Sequence, residues 1–285
     1  MHPSLRRSLD TALTRLPGLY ARLAALRRHP NREKVAFLAL LRPGDTVLDV
    51  GANEGYYTLL FSHLAGRRGR VHAFEPVPPT FARLESRVAR GRRHDNVVLH
   101  RAAVAESAGE VSLLVPGADL GQASLARHAA GSWQGGAAVA AWAAAAVTLD
   151  DYAAALPALD FVKCDVEGAE LPVLRGARAA LRRFSPLLFL EVCADWTADF
   201  GYAPAEVVRF LAPFGYRAFW LLDGMAAAPR PLADPERALA ALAGSANLLC
   251  AVPERHAGRL ARLRDVARWL RAARWLRAGR RGAAR

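Results

Sequence analysis

A chain of 285 residues, 53% of them hydrophobic, is long enough to bury a full core in one large domain or two small ones. Its mean hydropathy is close to zero, and no stretch approaches the roughly 18 consecutive apolar residues of a membrane-spanning helix, which argues against a transmembrane helix. Of the net charge of +13, +10 lies in residues 255–285, where eleven arginines meet one acid, Asp265, so the body is nearly neutral and the tail is basic.

Residues 4–28 place leucines at three- and four-residue steps between arginines, the pattern of an amphipathic helix, and "REKVAFLALL" reads as a second helix ended by the turn "RPGD". The arginines in this N-terminal stretch interrupt any secretory apolar segment, so a cytoplasmic protein is expected. A βα alternation then begins. "TVLDV" (46–50), "RVHAFEP" (70–76) and "NVVLHRAAV" (96–104) read as strands separated by two helices. After an Ala- and Gly-rich insertion over about 105–150, the alternation resumes with strands at 159–168, 186–192, 216–222 and 246–252. Seven strands in such an order predict a mostly parallel sheet with helices on both faces. Within the insertion, "GEVSLLVP" (109–116) suggests an exposed strand, whereas "AAVAAWAAAAVTLDDY" is ambiguous: alanine favours helix, and the Val, Trp and Thr placement favours strand. Asp150 and Asp151 suit a helix N-terminus. The chain thus divides into N-terminal helices (1–43), a central domain (44–253) and an arginine-rich amphipathic tail (254–285).

Cys164, Cys193 and Cys250 are widely spaced in apolar runs, and no Cys/His cluster suggests a metal. Reduced core thiols are expected.

The chemistry concentrates at "VLDVGANEGYY" (47–57). A strand ending in Asp49, a turn holding Gly51 and Gly55, then a helix, with Glu75 ending the next strand, is the form of a nucleotide-type site at the carboxyl edge of a parallel sheet. Glu75 suits the two hydroxyls of a ribose. Asn53 stands where a dinucleotide fingerprint has its middle glycine, and Glu54, at the helix start, would repel a pyrophosphate. A ligand without phosphate that carries a sulfonium and an ammonium fits the acids Asp49, Glu54 and Glu75 better, and S-adenosylmethionine is such a ligand. The plainer alternative is that the two glycines merely permit a tight turn.

Taken in order, "VLDVGANEGYYT", "VHAFEPVPPTFARLESRV", "AAVAESAGEVSLLV", "VTLDDY" and "DFVKCDVEGAELPVLRGARAALRRFSPLLFLEV" resemble the FkbM-type family of S-adenosylmethionine-dependent methyltransferases over roughly residues 44–192. The resemblance implies a class I Rossmann-like fold, a seven-stranded sheet whose last strand is antiparallel. It implies that Asp49, Gly51, Asn53 and Gly55 line the methionine part of the cofactor, that Glu75 meets the ribose, that Ala103 and Val104 lie near the adenine, and that Asp165 faces the reactive end. The chain departs from the family where a histidine often follows the acid of the fifth strand: it reads "EVCAD", leaving Asp195 to supply any base there.

Lys163, Asp165 and Glu167 alternate along one strand and so share a face. A carboxylate there suits the removal of a hydroxyl proton during methyl transfer, and a lysine suits holding that carboxylate; a simple salt bridge with Glu167 as a helix-capping acid is the alternative. His63, His72 and His100 fall in element interiors, as core or surface histidines do. His128, Trp133 and Trp142 lie in the insertion, where they would meet a substrate or pack as a lid. In the tail, Leu263, Val266, Leu270 and Ala273 form one face and Arg264, Arg268 and Arg271 another, with Trp269 and Trp275 flanking. That helix suits an anionic membrane surface, with nucleic acid or an acidic glycan precursor as other partners. The reading that follows is a cytoplasmic O-methyltransferase, peripheral at the inner membrane face, acting on a hydroxyl of a small molecule or glycan: a sugar, glycolipid precursor or natural product. An RNA or protein methyltransferase and a non-catalytic cofactor-binding scaffold are the alternatives.

Overall fold

The computed structural model describes residues 31–282 apart from 92–93, 118, 129–132, 134–137 and 223–227, with side chains as far as Arg271. The expected helix over 4–28 lies outside these residues, as does Trp275 with Ala273 as far as side chains are concerned.

Helix α1 (Arg32–Leu40) starts at Asn31, whose side chain accepts from the Lys34 amide at 2.8 Å. Strand β1 (Thr46–Val50), helix α2 (Tyr56–Ala65), strand β2 (Arg70–Phe74), helix α3 (Pro78–Arg90) and strand β3 (Val97–His100) follow. Strands β4 (Ala103–Val104), β5 (Gly109–Pro116) and β6 (Val139–Val147) belong to the insertion, and helix α4 (Leu149–Ala153) leaves it. The second half runs through β7 (Phe161–Cys164), α5 (Glu170–Arg175), α6 (Arg178–Phe184), β8 (Leu187–Cys193), α7 (Ala194–Asp199), α8 (Ala205–Leu211), β9 (Ala218–Leu222), β10 (Arg230–Pro231), α9 (Pro235–Ala240), β11 (Ser245–Ala251) and α10 (Pro253–Gly282).

The main sheet has the order β10-β9-β11-β8-β7-β1-β2-β3. β3, β2, β1, β7 and β8 pair in parallel, whereas β11 lies antiparallel to both β8 and β9. All seven anticipated strands are present, the antiparallel one is the last in the chain, and the two-residue β10 adds an edge. This is the class I Rossmann-like methyltransferase topology. One expected strand is corrected. The run 96–104 breaks after His100, and Ala103–Val104 pairs instead with β6 in a three-stranded sheet ordered β4-β6-β5. The Ala-rich run resolves as strand because β5 pairs with it from Gly109↔Ala146 to Pro116↔Val139. It ends at Thr148, which caps α4 by accepting from the Asp151 amide at 3.0 Å. Asp150 caps a second helix, accepting from the amides of Ala179 and Ala180 at the start of α6.

Successive strand residues feed opposite layers, so both faces of the central strands are dry and those strands read as largely apolar runs. Leu48, Val162, Leu188 and Leu190 pack with α4, α5, α6 and α8; Val47, Phe161, Leu187 and Phe189 pack with α1, α2 and α10. Residues Val35 to Leu41 are all buried because α1 lies between the sheet and α10. Arginines of α10 cap it: Arg259 donates to the Leu40 carbonyl and Arg262 to the Ala39 carbonyl, each at 2.8 Å, supplying donors that the last turn of α1 lacks. Leu260, Leu263, Val266, Ala267 and Leu270 are buried in the same cluster. The stripe that an amphipathic membrane contact would use is therefore spent on the body as far as Leu270, and the arginine face is what remains for an anionic partner. Among the described residues no helix is long and apolar enough to cross a membrane. The three cysteines are free and buried.

Candidate functional site

The strand order reverses direction between β1 and β7, and a cavity opens at their carboxyl ends, where such sheets bind ligands. Val50, Gly51, Asn53, Phe74, Glu75, Ala103, Val104, Asp165 and Glu167 line it, joined by Leu113, Leu120 and Leu125 from the insertion. Gly51, Asn53, Glu75, Ala103, Val104, Asp165 and Glu167 are thus brought together as the sequence suggested. Asp49, Gly55, Glu54 and Lys163 are not among the lining residues.

Each exception has a physical reason. Asp49 is fully buried behind the turn, accepting from Thr58 Oγ1 at 2.6 Å with Lys163 Nζ 3.8 Å away. Gly55 caps α2 in the left-handed region (φ 83°), and a Cβ there would come within 2.5 Å of Leu84, so it serves close packing of α2 against α3. Glu54 turns outward to Arg83 and Arg87 at 3.1 and 2.8 Å. Its charge is answered on the surface, which corrects the reading that it screens the ligand. Gly51 is the strictest position: at φ 75°, a Cβ would lie 1.8 Å from the Asp165 carbonyl.

Glu75 is 5% exposed, and its two oxygens accept one amide each, from Asn53 and Val77 at 2.9 Å. Burial raises its pKa to about 7 against the pull of those amides. A carboxylate oxygen has a second lone pair, so Glu75 keeps capacity for ribose hydroxyls.

Lys163 is buried with its ammonium 3.0 Å from Asp165. Burial would depress its pKa, but Asp165 and Asp49 outweigh burial and hold it above the usual lysine value, so it is a fixed cation. For Asp165, burial pushes upward and is overcome by Lys163, with a hydrogen bond from Glu191 adding to the effect, so the carboxyl titrates below its ordinary range. Glu167 has a left-handed backbone (φ 54°), uncommon outside glycine and found where structure serves function. Burial, then Asp165 and Glu191, raise its pKa to about 9, and its Oε2 is buried without a hydrogen-bond partner.

The loop carrying Glu167 is pinned from two sides. Glu170 Oε1 accepts from the Val166 amide at 3.0 Å, and Tyr202 donates to the Gly168 carbonyl at 2.7 Å. From the insertion, Ser124 Oγ and His128 Nε2 approach the Glu167 carbonyl at 3.0 and 2.9 Å. His128 Nδ1 lies 2.7 Å from Asp199, and its ring stacks on Trp196 and meets Trp133 edge-on. His128 and Trp133 are thus buried fastenings of the insertion, away from the cavity wall, and Trp142 is likewise not among the lining residues. Asp195 is exposed on the first turn of α7 and outside the lining. His72 and His100 share the Tyr152 hydroxyl at 2.7 Å each, as satisfied interior histidines do.

Glu191, near the end of β8, is the site residue that sequence reasoning passed over. Its carboxyl reaches across to Asp165 and accepts from Ser245 at 2.7 Å, and burial followed by Asp165 raises its pKa. Oxygens of Asp165, Glu167 and Glu191 lie within 4.8 Å of one another. The signal available was its place as the acid ending the strand beside β7.

A model of the methyltransferase FkbM domain matches residues 49–218. The 31-O-demethyl-FK506 methyltransferase FkbM of Streptomyces tacrolimicus is 48% identical over 69 residues, 24% of this chain. The matched stretch spans a quarter (25%) of that relative's length. Among solved structures, methyltransferase FkbM from Methylobacillus flagellatus aligns with a TM-score of 0.44 at 17% identity, covering 81% of this chain and 58% of that one. A putative rRNA methylase from Clostridium thermocellum aligns with a TM-score of 0.46 at 10% identity, over 79% and 96%.

Proposed function

The chain belongs to the methyltransferase FkbM domain family and is an S-adenosylmethionine-dependent methyltransferase, and we propose that its acceptor is a hydroxyl of a sugar, glycolipid precursor or other natural product. The cofactor supplies the electrophile, a methyl carbon on a positively charged sulfur. Gly51, Asn53, Glu75, Ala103 and Val104 are the residues that would hold it, and a wall rich in carboxylates suits its positive charge.

What remains for the protein is to align an oxygen and to receive its proton as attack proceeds. Asp165 suits the second task. It is on the cavity wall, one third (33%) exposed, and kept ionised by Lys163 at 3.0 Å. That ion pair is the observation that carries the reading. Lys163 is then a positioning residue, and Glu167, held in its unusual backbone by Ser124 and His128, borders the acceptor. The relative from S. tacrolimicus is named for a 31-O-demethyl compound, and that name supports oxygen as the acceptor atom here.

Incubation of the purified protein with methyl-labelled S-adenosylmethionine and extracts of glycans, lipids and small molecules tests the proposal. Label recovered as a methyl ether stable to mild base is the expected result. Label confined to base-labile esters, to nitrogen or to RNA would overturn it.

A further inference from the structure

Three carboxyls whose oxygens lie within 4.8 Å of one another repel strongly when ionised; without a cation among them the group keeps protons and titrates as a unit. The contacts show how. Lys163 lies against Asp165 and keeps that carboxyl ionised. Glu191 brings a carboxyl oxygen within 4.8 Å of Asp165 and accepts from Ser245, while Glu167 Oε2 is buried with no partner. The other charged groups that bear on them are Asp49 from β1, Glu170 from α5 and Asp119 from the insertion, all acids. Against these carboxylates stands the ammonium of Lys163, already engaged by Asp165 and Asp49.

We propose that Asp165, Glu167 and Glu191 form one proton store that gives a proton to solvent when the cationic methyl donor binds and keeps it when the neutral demethylated product binds. Donor and product differ at one place, a sulfonium in the first and an uncharged sulfide in the second. A positive charge within roughly 4–6 Å favours an ionised carboxylate. Asp165 and Glu167 line the cavity, so the sulfonium acts on the store while the rest of the ligand is common to both states. On donor binding a carboxyl O–H bond breaks and its proton goes to the buffer. In turnover the methyl carbon forms a bond to oxygen, its bond to sulfur breaks with the electron pair left on sulfur, and the hydroxyl proton refills the emptied carboxylate. Only this last step rests on a hydroxyl acceptor; the binding step does not. Asp165, ionised throughout beside Lys163, passes the hydroxyl proton to the neighbouring carboxyl that donor binding has emptied.

Isothermal titration calorimetry of the full chain near pH 8, in buffers of different ionisation enthalpy, reads the proton count without any acceptor. S-adenosylmethionine should release about one proton per site and S-adenosylhomocysteine close to none. An analogue with a protonated amine in place of the sulfonium should release a proton as the donor does. Glu191→Gln, outside the cavity lining, should at least halve the release while the donor still binds, and the double variant with Glu167→Gln should abolish it. Equal release with donor and product, no release with the donor, or full release in the double variant would overturn the inference. Should the double variant fail to fold, the three ligands on the native chain decide it. Donor binding without proton release sinks the store and leaves the acceptor reading untouched.

Discussion

The two edges of the main sheet bury acids in opposite ways. At the amino edge, Arg259 bridges Asp45 at 2.5 and 2.8 Å and reaches Asp160 at 3.9 Å. Backbone amides complete the account there, with Arg42 donating to Asp45 and Thr46 to Asp160. At the carboxyl edge, Asp165, Glu167 and Glu191 face the single ammonium of Lys163, and an oxygen of Glu167 is left without a partner. Matched charge fixes a helix to the body. Unmatched charge, costly in a dry interior, marks the edge at which a cation is to arrive.

The largest effect should come from neutralising the acid that is held ionised. Asp165→Asn is expected to lower methyl transfer by about 10²–10⁴-fold, the usual contribution of a general base, with circular dichroism unchanged. Retention of most of the activity would remove Asp165 from the chemistry. At the opposite edge, Arg259→Ala leaves Asp45 buried without its cation, a loss of about 3–5 kcal/mol. Urea denaturation should show a lowered midpoint, and a change under ~1 kcal/mol would mean that the bridge is worth no more than a surface pair.

A pH series separates the edges further. Glu167 has its folded pKa raised from 4.5 to about 9, and that of Glu191 is raised as well. At these two carboxyls the folded state binds more protons than the unfolded chain, so the stability they contribute falls as pH rises from about 4.5 to about 9. Glu167→Gln cannot ionise, so it should flatten that slope and be the more stable form at pH 9. Thermal midpoints measured from pH 5 to pH 9 check this, and parallel slopes for the two proteins would count against the assignment.

Much of this was legible in the sequence, for reasons particular elements make plain. Central strands such as β1 and β8 are buried along their length and read as largely apolar runs, so they stand out in the sequence. Gly51 and Glu75 sit at fixed distances along one βαβ unit, so their meeting is a local matter. Glu191 was not found because its proximity to Asp165 depends on β8 pairing beside β7, a fact of sheet order rather than spacing. The tail shows the same limit. Its apolar stripe was visible, but a stripe of Leu263, Val266 and Leu270 looks identical whether lipid or α1 is to cover it. The run 139–147 was undecidable alone because its conformation is set by the pairing partner β5.

Glu54 offers the smallest effect and the sharpest check on that reading. Its position at the start of α2 suggested that it selects against phosphate, yet its carboxylate is 38% exposed and engaged by Arg83 and Arg87. Exposed pairs of this kind contribute about 0–1 kcal/mol, because water already solvates both charges and two long side chains must be ordered to meet. Glu54→Gln should therefore shift the unfolding free energy by no more than ~1 kcal/mol and leave the dissociation constant for S-adenosylmethionine within about twofold, under ~0.5 kcal/mol. A tenfold weakening would mean that its charge does reach the cavity.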